Sequence, residues 1–306
     1  MVLIISANSD KSTTHVIEWL DNLHKKWIRL NESDVIDIAF LGDDIRFVQG
    51  NDCFLLSEIT SYWYRRGYMR FNFGKISDIS TFRILQKVEI ECIVEYIYYS
   101  LSQKRSINSF LNRDVNKLIV SSVARNLGVL TPIDFLFSEK NSLLEKTNNQ
   151  KCITKPISGD SIQIIEDVSI FNYTSILDTG QIETDTFFPS FVQNYIEKKY
   201  ELRVFYLHGK FYAMAIFSQK DNQTHIDFRQ YNEIKPNRTT VFNLPKEIEI
   251  QLDMLMKKID LNCGSIDMIV TPENEFVFLE VNPVGQFGMV SNPCNFNLEK
   301  IIAEYL

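Results

Sequence analysis

The chain has 306 residues, a net charge of −7 at pH 7, 45% hydrophobic and 23% charged residues. That length allows two or three domains with substantial cores, and the acidic balance argues against a general nucleic-acid binder, which would show a basic face. The five cysteines, Cys53, Cys92, Cys152, Cys263 and Cys294, show no CxxC spacing, which disfavours zinc and fits free thiols in a reducing cytoplasm; no apolar run reaches the roughly 18 residues of a membrane span.

In chain order, residues 2–6 read as a strand. They are not a signal peptide, since no basic segment precedes them and the polar Asn8-Ser9-Asp10-Lys11 follows at once. An amphipathic helix with Val16, Ile17, Leu20 and Leu23 on one stripe comes next. Strands are expected at 35–40, 46–49 and 61–66, then a long helix over 80–101 with Ile84, Val88, Val94, Ile97 and Leu101 in phase. This βαββ…α order predicts an α/β layer. A helix over 112–127 ends at Gly128, a C′ glycine, and leads into a strand at 133–137. Strands at 152–156 and 162–165 follow, then 188–196. A hairpin pairs 202–207 with 211–217 through His208-Gly209-Lys210, and a helix over 246–259 carries Ile248, Leu252, Leu255, Met256 and Ile259 on one side.

The segment after that helix is the most informative. Cys263–Val270 and Phe276–Pro283 read as two buried strands joined by a turn with Pro272, Glu273 and Asn274. Asp267 interrupts the first apolar run and Glu280 the second. A carboxylate in a buried strand is costly unless it is paired or holds a metal. A hairpin sets these two acids side by side, and Asn282 follows Glu280 on the same face. Three oxygen donors on one face suit magnesium, which shares its shell with phosphate. The alternative is that both acids pair with core Arg or Lys residues.

Other residues point the same way. In "CITKPISGD", Lys155 ends an apolar strand, where its stem packs and its ammonium reaches an anion. Ser158-Gly159-Asp160-Ser161 is a loop of small residues whose N–H groups can approach phosphate. Glu201 and Arg203 share one face of a strand, and a guanidinium there could bind phosphate in bidentate fashion. Asp227 and Arg229 could simply form a loop salt bridge. The run Glu197-Lys198-Lys199 reads as a solvated strand end, and the four histidines show no metal spacing.

The hairpin "SIDMIV…FLEVNP" resembles the metal-binding hairpin of ATP-grasp ligases, and the resemblance covers the chain from about residue 110 onward. "DFRQYN…NR", "SYWYRRG" and "EVNPVGQFG" narrow it to the ATP-grasp peptide maturases, or graspetide synthetases, of the microviridin type and "grasp-with-spasm" group. The resemblance implies an α/β (α+β) ATP-grasp fold: an N-terminal α/β domain at 1–110, a central lid domain at 111–187 and a C-terminal catalytic domain at 188–306. It implies ATP and two Mg2+ ions, the latter on Asp267, Glu280 and Asn282. Lys117, Lys155, Ser158 and Gly159 would contact phosphates. Gln193, Asn194, Tyr195 and Ile196 would form the adenine hinge, with Glu197 or Glu201 on the ribose. Arg203 and Arg238 would offset phosphate charge, and Arg229, oriented by Asp227, would hold the substrate carboxylate.

The activity so implied is ATP-dependent activation of Asp or Glu side chains in a ribosomal precursor peptide, followed by ester or amide formation with Thr, Ser or Lys. The partner is then a peptide with a leader and an acidic, Thr-rich core; the family also allows a homodimer. Trp63, Tyr64, Arg65 and Arg66 either support the peptide-binding region or form an edge strand blunted by charge. Rival readings are an intermolecular amino-acid or peptide ligase, such as a glutamate ligase or glutathione synthetase, and a nucleotide-binding module without turnover.

Overall fold

The computed structural model describes residues 1–147, 150–157, 162–165, 168–171, 173–219, 226–227, 234 and 236–306, with 162–165 and 168–171 as backbone alone. The chain divides into two compact units: residues 1–113, 286–292 and 296–306, and residues 114–285 with 293–295. Among the described residues no helix is long and apolar enough to cross a membrane.

In the first unit, β1 (Val2–Ser6) is buried at every position, as a central parallel strand covered on both faces should be. It lies between β2 (Trp27–Asn31) and β6 (Ser61–Tyr64), and β8 (Arg105–Ile107) completes a parallel sheet in the order β2-β1-β6-β8. Helix α1 (Lys11–Asn22) starts at Asp10, whose carboxylate accepts from Thr13 N at 3.1 Å. It buries Val16, Ile17 and Leu20 and packs against α7 (Leu298–Tyr305). A second sheet has the order β5-β4-β3-β7, from β3 (Val35–Leu41), β4 (Asp44–Gln49), β5 (Asp52–Leu55) and β7 (Arg70–Asn72).

Two expectations change here. Strand β6 is internal, flanked by β1 and β8, so "YWYRR" is not an edge strand: Arg65 is 3% exposed, pairs with Asp10 at 3.1 Å and lies 5.4 Å over the Phe287 ring. Helix α2 (Ser80–Ser102) forms as expected, but its stripe is not uniformly buried. Its last turns bury Ile97, Tyr98 and Leu101, while Phe82, Ile84, Leu85 and Val88 are each at least half exposed.

The second unit centres on an antiparallel sheet in the order β17-β16-β15-β18-β19. Its strands are β15 (Tyr200–Leu207), β16 (Lys210–Phe217), β17 (Arg238–Phe242), β18 (Cys263–Val270) and β19 (Phe276–Asn282). His208 and Gly209 join β15 to β16 with φ of 45° and 80°, the two left-handed residues that match a tight hairpin to strand twist. One face carries Leu202, Val204, Ile266, Met268, Phe278 and Val281 into a core shared with α3 (Lys117–Asn126) and α5 (Lys246–Lys258). Helix α3 is shorter than the 112–127 expected, because Asn116 caps it by accepting from Leu118 N and Ile119 N. Gly128 ends it at φ 73°.

A smaller antiparallel sheet, β13-β10-β14-β9, uses β9 (Asp134–Glu139), β10 (Cys152–Thr154), β13 (Ser175–Ile176) and β14 (Thr186–Asn194). Helix α4 (Lys140–Thr147) covers it with Leu143. Strands β11 (Ile162–Ile165) and β12 (Val168–Phe171) pair as a separate hairpin, and α6 (Gly288–Cys294) precedes α7.

Candidate functional site

Strand β19 explains how two acids meet. Its sequence alternates apolar residues in two phases: Phe276 and Phe278, then Val281. Strict alternation would send Glu280 to the same face as Phe278, into the core. Instead Met268 pairs with Phe278 while Asp267 pairs with Glu280, so Leu279 is an extra residue. This β-bulge turns both Leu279 and Glu280 to the open face and restores Val281 to the core. Asp267 and Glu280 are therefore cross-strand neighbours, with Asn282 opposite Ser265 two residues along.

Cations gather around this pair. Arg203 is the register partner of Asp267 on the other side, and its Nη1 donates to both Asp267 oxygens at 2.5 and 2.6 Å. Lys117 Nζ, on the first residue of α3, lies 3.2 Å from Glu280 Oε2 and donates to Pro156 O at 3.1 Å. Lys155 Nζ lies 3.5 Å from the same carboxylate oxygen. All five side chains are at most 17% exposed. Three cations with two carboxylates leave this end of the site positive, which suits an anion.

Lys155, Asp267 and Glu280 line one end of a cleft, with Lys117 and Arg203 bonded to its two carboxylates from behind. The other end is the segment between β14 and β15, where Gln193, Asn194, Tyr195, Ile196 and Lys198 line the cleft beside Ile153, Ile269 and Leu279. Asn194 N and Tyr195 N are already used, donating to Ile133 O and Lys151 O. Ile196 makes no hydrogen bond among the described residues and so offers its peptide group to a ligand.

Lys198 corrects the solvated strand end expected at Glu197-Lys198-Lys199. It is 8% exposed, and its Nζ donates to Glu201 Oε1 at 2.8 Å and Ile226 O at 3.3 Å. Glu201 also accepts from Ser218 Oγ at 2.7 Å. Burial pushes the Glu201 carboxyl above its ordinary value, against the pull of Lys198 and Ser218. A lysine beside a strand whose neighbour Glu201 has to be buried is the signal that could have found this pair. Asp227 is 5% exposed, lines the same cleft and accepts from Thr174 N at 3.1 Å.

Not every sequence candidate gathers here. Arg238 lies on β17, exposed, 5.8 Å over the Phe217 ring, and is not among the described lining residues. Asn282 is exposed and its Oδ1 accepts from Val284 N at 3.0 Å. Ser158, Gly159 and Arg229 lie outside the described residues.

The donor set suits magnesium. Asp267, Glu280 and Asn282 supply oxygen alone, as that ion prefers, and among the described residues no three His, Cys, Asp or Glu side chains gather. The Asp267 and Glu280 carboxylates would leave coordination positions for phosphate oxygens, the usual arrangement for magnesium beside nucleotides, and Asn282 Oδ1, which accepts from Val284 N, would have to turn to join them. The residues fit the ion.

No protein-family model matched the sequence, and no curated protein did. Solved structures did. The macrocyclase MdnC of Microcystis aeruginosa MRC, bound with precursor peptide MdnA, matches with a TM-score of 0.79 and 29% identity over 100% of this chain and 99% of that one. A RiPP-associated ATP-grasp ligase of Chryseobacterium gregarium, in complex with ADP and a leader and core peptide, matches at 0.77 and 22% identity over 99% and 94%. The ATP-grasp ligase PsnB, complexed with minimal precursor, Mg and ADP, matches at 0.72 and 14% over 99% and 96%. The resemblance carried by the hairpin and the "DFRQYN" segment thus extends along the whole chain, which has the ATP-grasp ligase fold of the peptide-maturase type.

Proposed function

We propose that the protein is an ATP-dependent ligase that closes rings in a ribosomal precursor peptide by joining Asp or Glu side chains to Thr or Ser hydroxyls or Lys amines. The observation that carries this reading is the cleft itself: Lys117, Lys155 and Arg203 gathered on Asp267 and Glu280 at one end, an open peptide group at the other. The full-length match to a macrocyclase supports the peptide as substrate.

The chemistry follows from the charges. Without nucleotide, the two carboxylates offset two of the three positive charges. Phosphates entering the cleft compete for Lys117, Lys155 and Arg203 and release Asp267 and Glu280 to new partners. Asp267, Glu280 and Asn282 would hold magnesium, which when bound offsets charge on the transferring phosphate. A substrate carboxylate oxygen then bonds to the γ-phosphorus and ADP leaves, giving an acyl phosphate. A hydroxyl or amine of the same peptide bonds to the carbonyl carbon, and phosphate leaves. Both groups belong to one bound chain, so the gain is chiefly positional. Glu201, held by Lys198 and Ser218 and lining the cleft, would accept from ribose hydroxyls. The roles assigned to Arg229, Ser158 and Gly159 rest on the sequence, as does the lid role of residues 111–187.

A second copy of this chain is the partner we assign to α2. Phe82, Leu85, Cys92, Tyr96 and Tyr99 are exposed and spaced three to seven apart along one stripe, an apolar face beyond what an isolated surface helix needs. Sedimentation of a Leu85→Glu variant as a monomer, against a wild-type dimer, is the expected result. The cytoplasm, where five free cysteines stay reduced, is the setting we assign.

The function is tested by incubating a candidate precursor peptide with protein, ATP and magnesium and weighing the product. Loss of one water's mass per ring, dependent on ATP, is expected. Unchanged peptide mass with mass gained by free amino acids would instead mark an intermolecular ligase.

A further inference from the structure

The hinge end of the cleft holds a buried polar atom without a partner, Gln193 Oε1. Gln193 is 1% exposed and lines the cleft. Its Nε2 donates to Asp134 Oδ1 at 2.7 Å, directly across the β14–β9 pair. The other oxygen, Asp134 Oδ2, accepts from Arg125 Nη1 at 2.8 Å. An ionised carboxylate accepts hydrogen bonds and donates none. Asp134 therefore permits one orientation of the Gln193 amide, with NH2 towards itself and C=O directed away.

Ile196, three residues on, makes no hydrogen bond among the described residues. Two residues lining the cleft thus hold a buried, fixed acceptor in Gln193 and, in Ile196, a peptide N–H without a partner among the described residues. A purine with a 6-amino group and an unprotonated N1 offers the complementary donor and acceptor. A 6-oxo purine offers the reverse, an acceptor at position 6 and an N1–H donor. Leaving a buried polar group unmatched is costly, and sites built this way discriminate strongly.

We propose that Asp134, anchored by Arg125, is a positioning residue that sets nucleobase specificity by locking the Gln193 amide to read a 6-amino purine. The inference rests on the assignment of this cleft to nucleotide. Gln193 touches the base; Asp134 acts through it.

The test is the ratio of kcat/KM for ATP to that for ITP, with peptide condensation as readout. Wild type should prefer ATP strongly, and a ratio near one in wild type overturns the proposal. Asp134→Asn can donate to Gln193 and lets the amide turn over, so the ratio should narrow by about tenfold. A purely structural role for Asp134 would lower both rates together and leave the ratio unmoved, which also overturns the proposal. Should Asp134→Asn not fold, Gln193→Met removes the acceptor and must narrow the ratio likewise; an unchanged ratio there has the same force. If wild type neither binds ADP nor consumes ATP, the nucleotide assignment itself fails. If it does both and the ratio is insensitive to these variants, this inference alone fails.

Discussion

The two ends of the cleft are built on opposite principles. At one end, Arg203, Lys117 and Lys155 sit on Asp267 and Glu280 in pairs that a phosphate or a metal can dissolve. At the other, Gln193 is fixed by Asp134, and Glu201 by Lys198 and Ser218, in contacts that a neutral base has no charge to displace. Buried ion pairs contribute little net stability, because desolvation offsets the attraction, but breaking one side of a pair is expensive. The exchangeable end is therefore suited to charge that arrives and departs during a reaction, and the fixed end to a base that is read and held.

The largest effect expected from breaking this contrast is at Glu280. Glu280→Gln leaves Lys117 and Lys155 without their carboxylate and removes a proposed magnesium ligand. Condensation should fall on the order of a hundredfold or more, the scale of losing one preorganised electrostatic contact, with ADP binding no longer strengthened by magnesium. Steady-state rates at saturating peptide check this.

A smaller effect should come from the floor beneath the exchangeable end. A Cβ on Gly285 would lie 2.5 Å from Ser265 Cβ and Oγ and 3.2 Å from Asn282 O. Gly285→Ala must shift either the turn after β19 or Ser265 on β18, where Ser265 opposes Asn282. It should cost about 1–3 kcal/mol of stability by overpacking, read by urea denaturation, and weaken magnesium dependence. Unchanged stability would mean that this corner yields easily.

The smallest effect concerns pH at the fixed end. Burial raises the Glu201 carboxyl above 4.5, its ordinary value, in the folded protein. Its contribution to stability is complete below that value and is lost as pH rises through the raised one. Melting temperatures of wild type and Glu201→Gln should therefore shift in the variant's favour from pH 4.5 upward. A constant difference across that range would contradict the assigned burial.

The sequence made the exchangeable end legible and much of the fixed end obscure, for physical reasons. Asp267 and Glu280 stand out because charges in apolar strands demand a partner, and their pairing follows from hairpin geometry. The bulge at Leu279 was hidden, although the apolar phases of Phe278 and Val281 encode it. Lys198 reads as surface because it lies in a charged run, and only the fold reveals its burial against Glu201. Asp134 and Arg125 are distant in sequence from Gln193, so their relay depends on the β14–β9 register. In helix α2 periodicity finds the helix but cannot tell a stripe facing its own core, as at Ile97 and Leu101, from one facing outward, as at Leu85.

The most direct measurement is calorimetric titration of ADP into wild type and Glu280→Gln, each with and without magnesium. One-to-one binding, tightened by magnesium in wild type and indifferent to it in the variant, is the predicted result. Absence of ADP binding under every condition would contradict the account of this cleft as a nucleotide site.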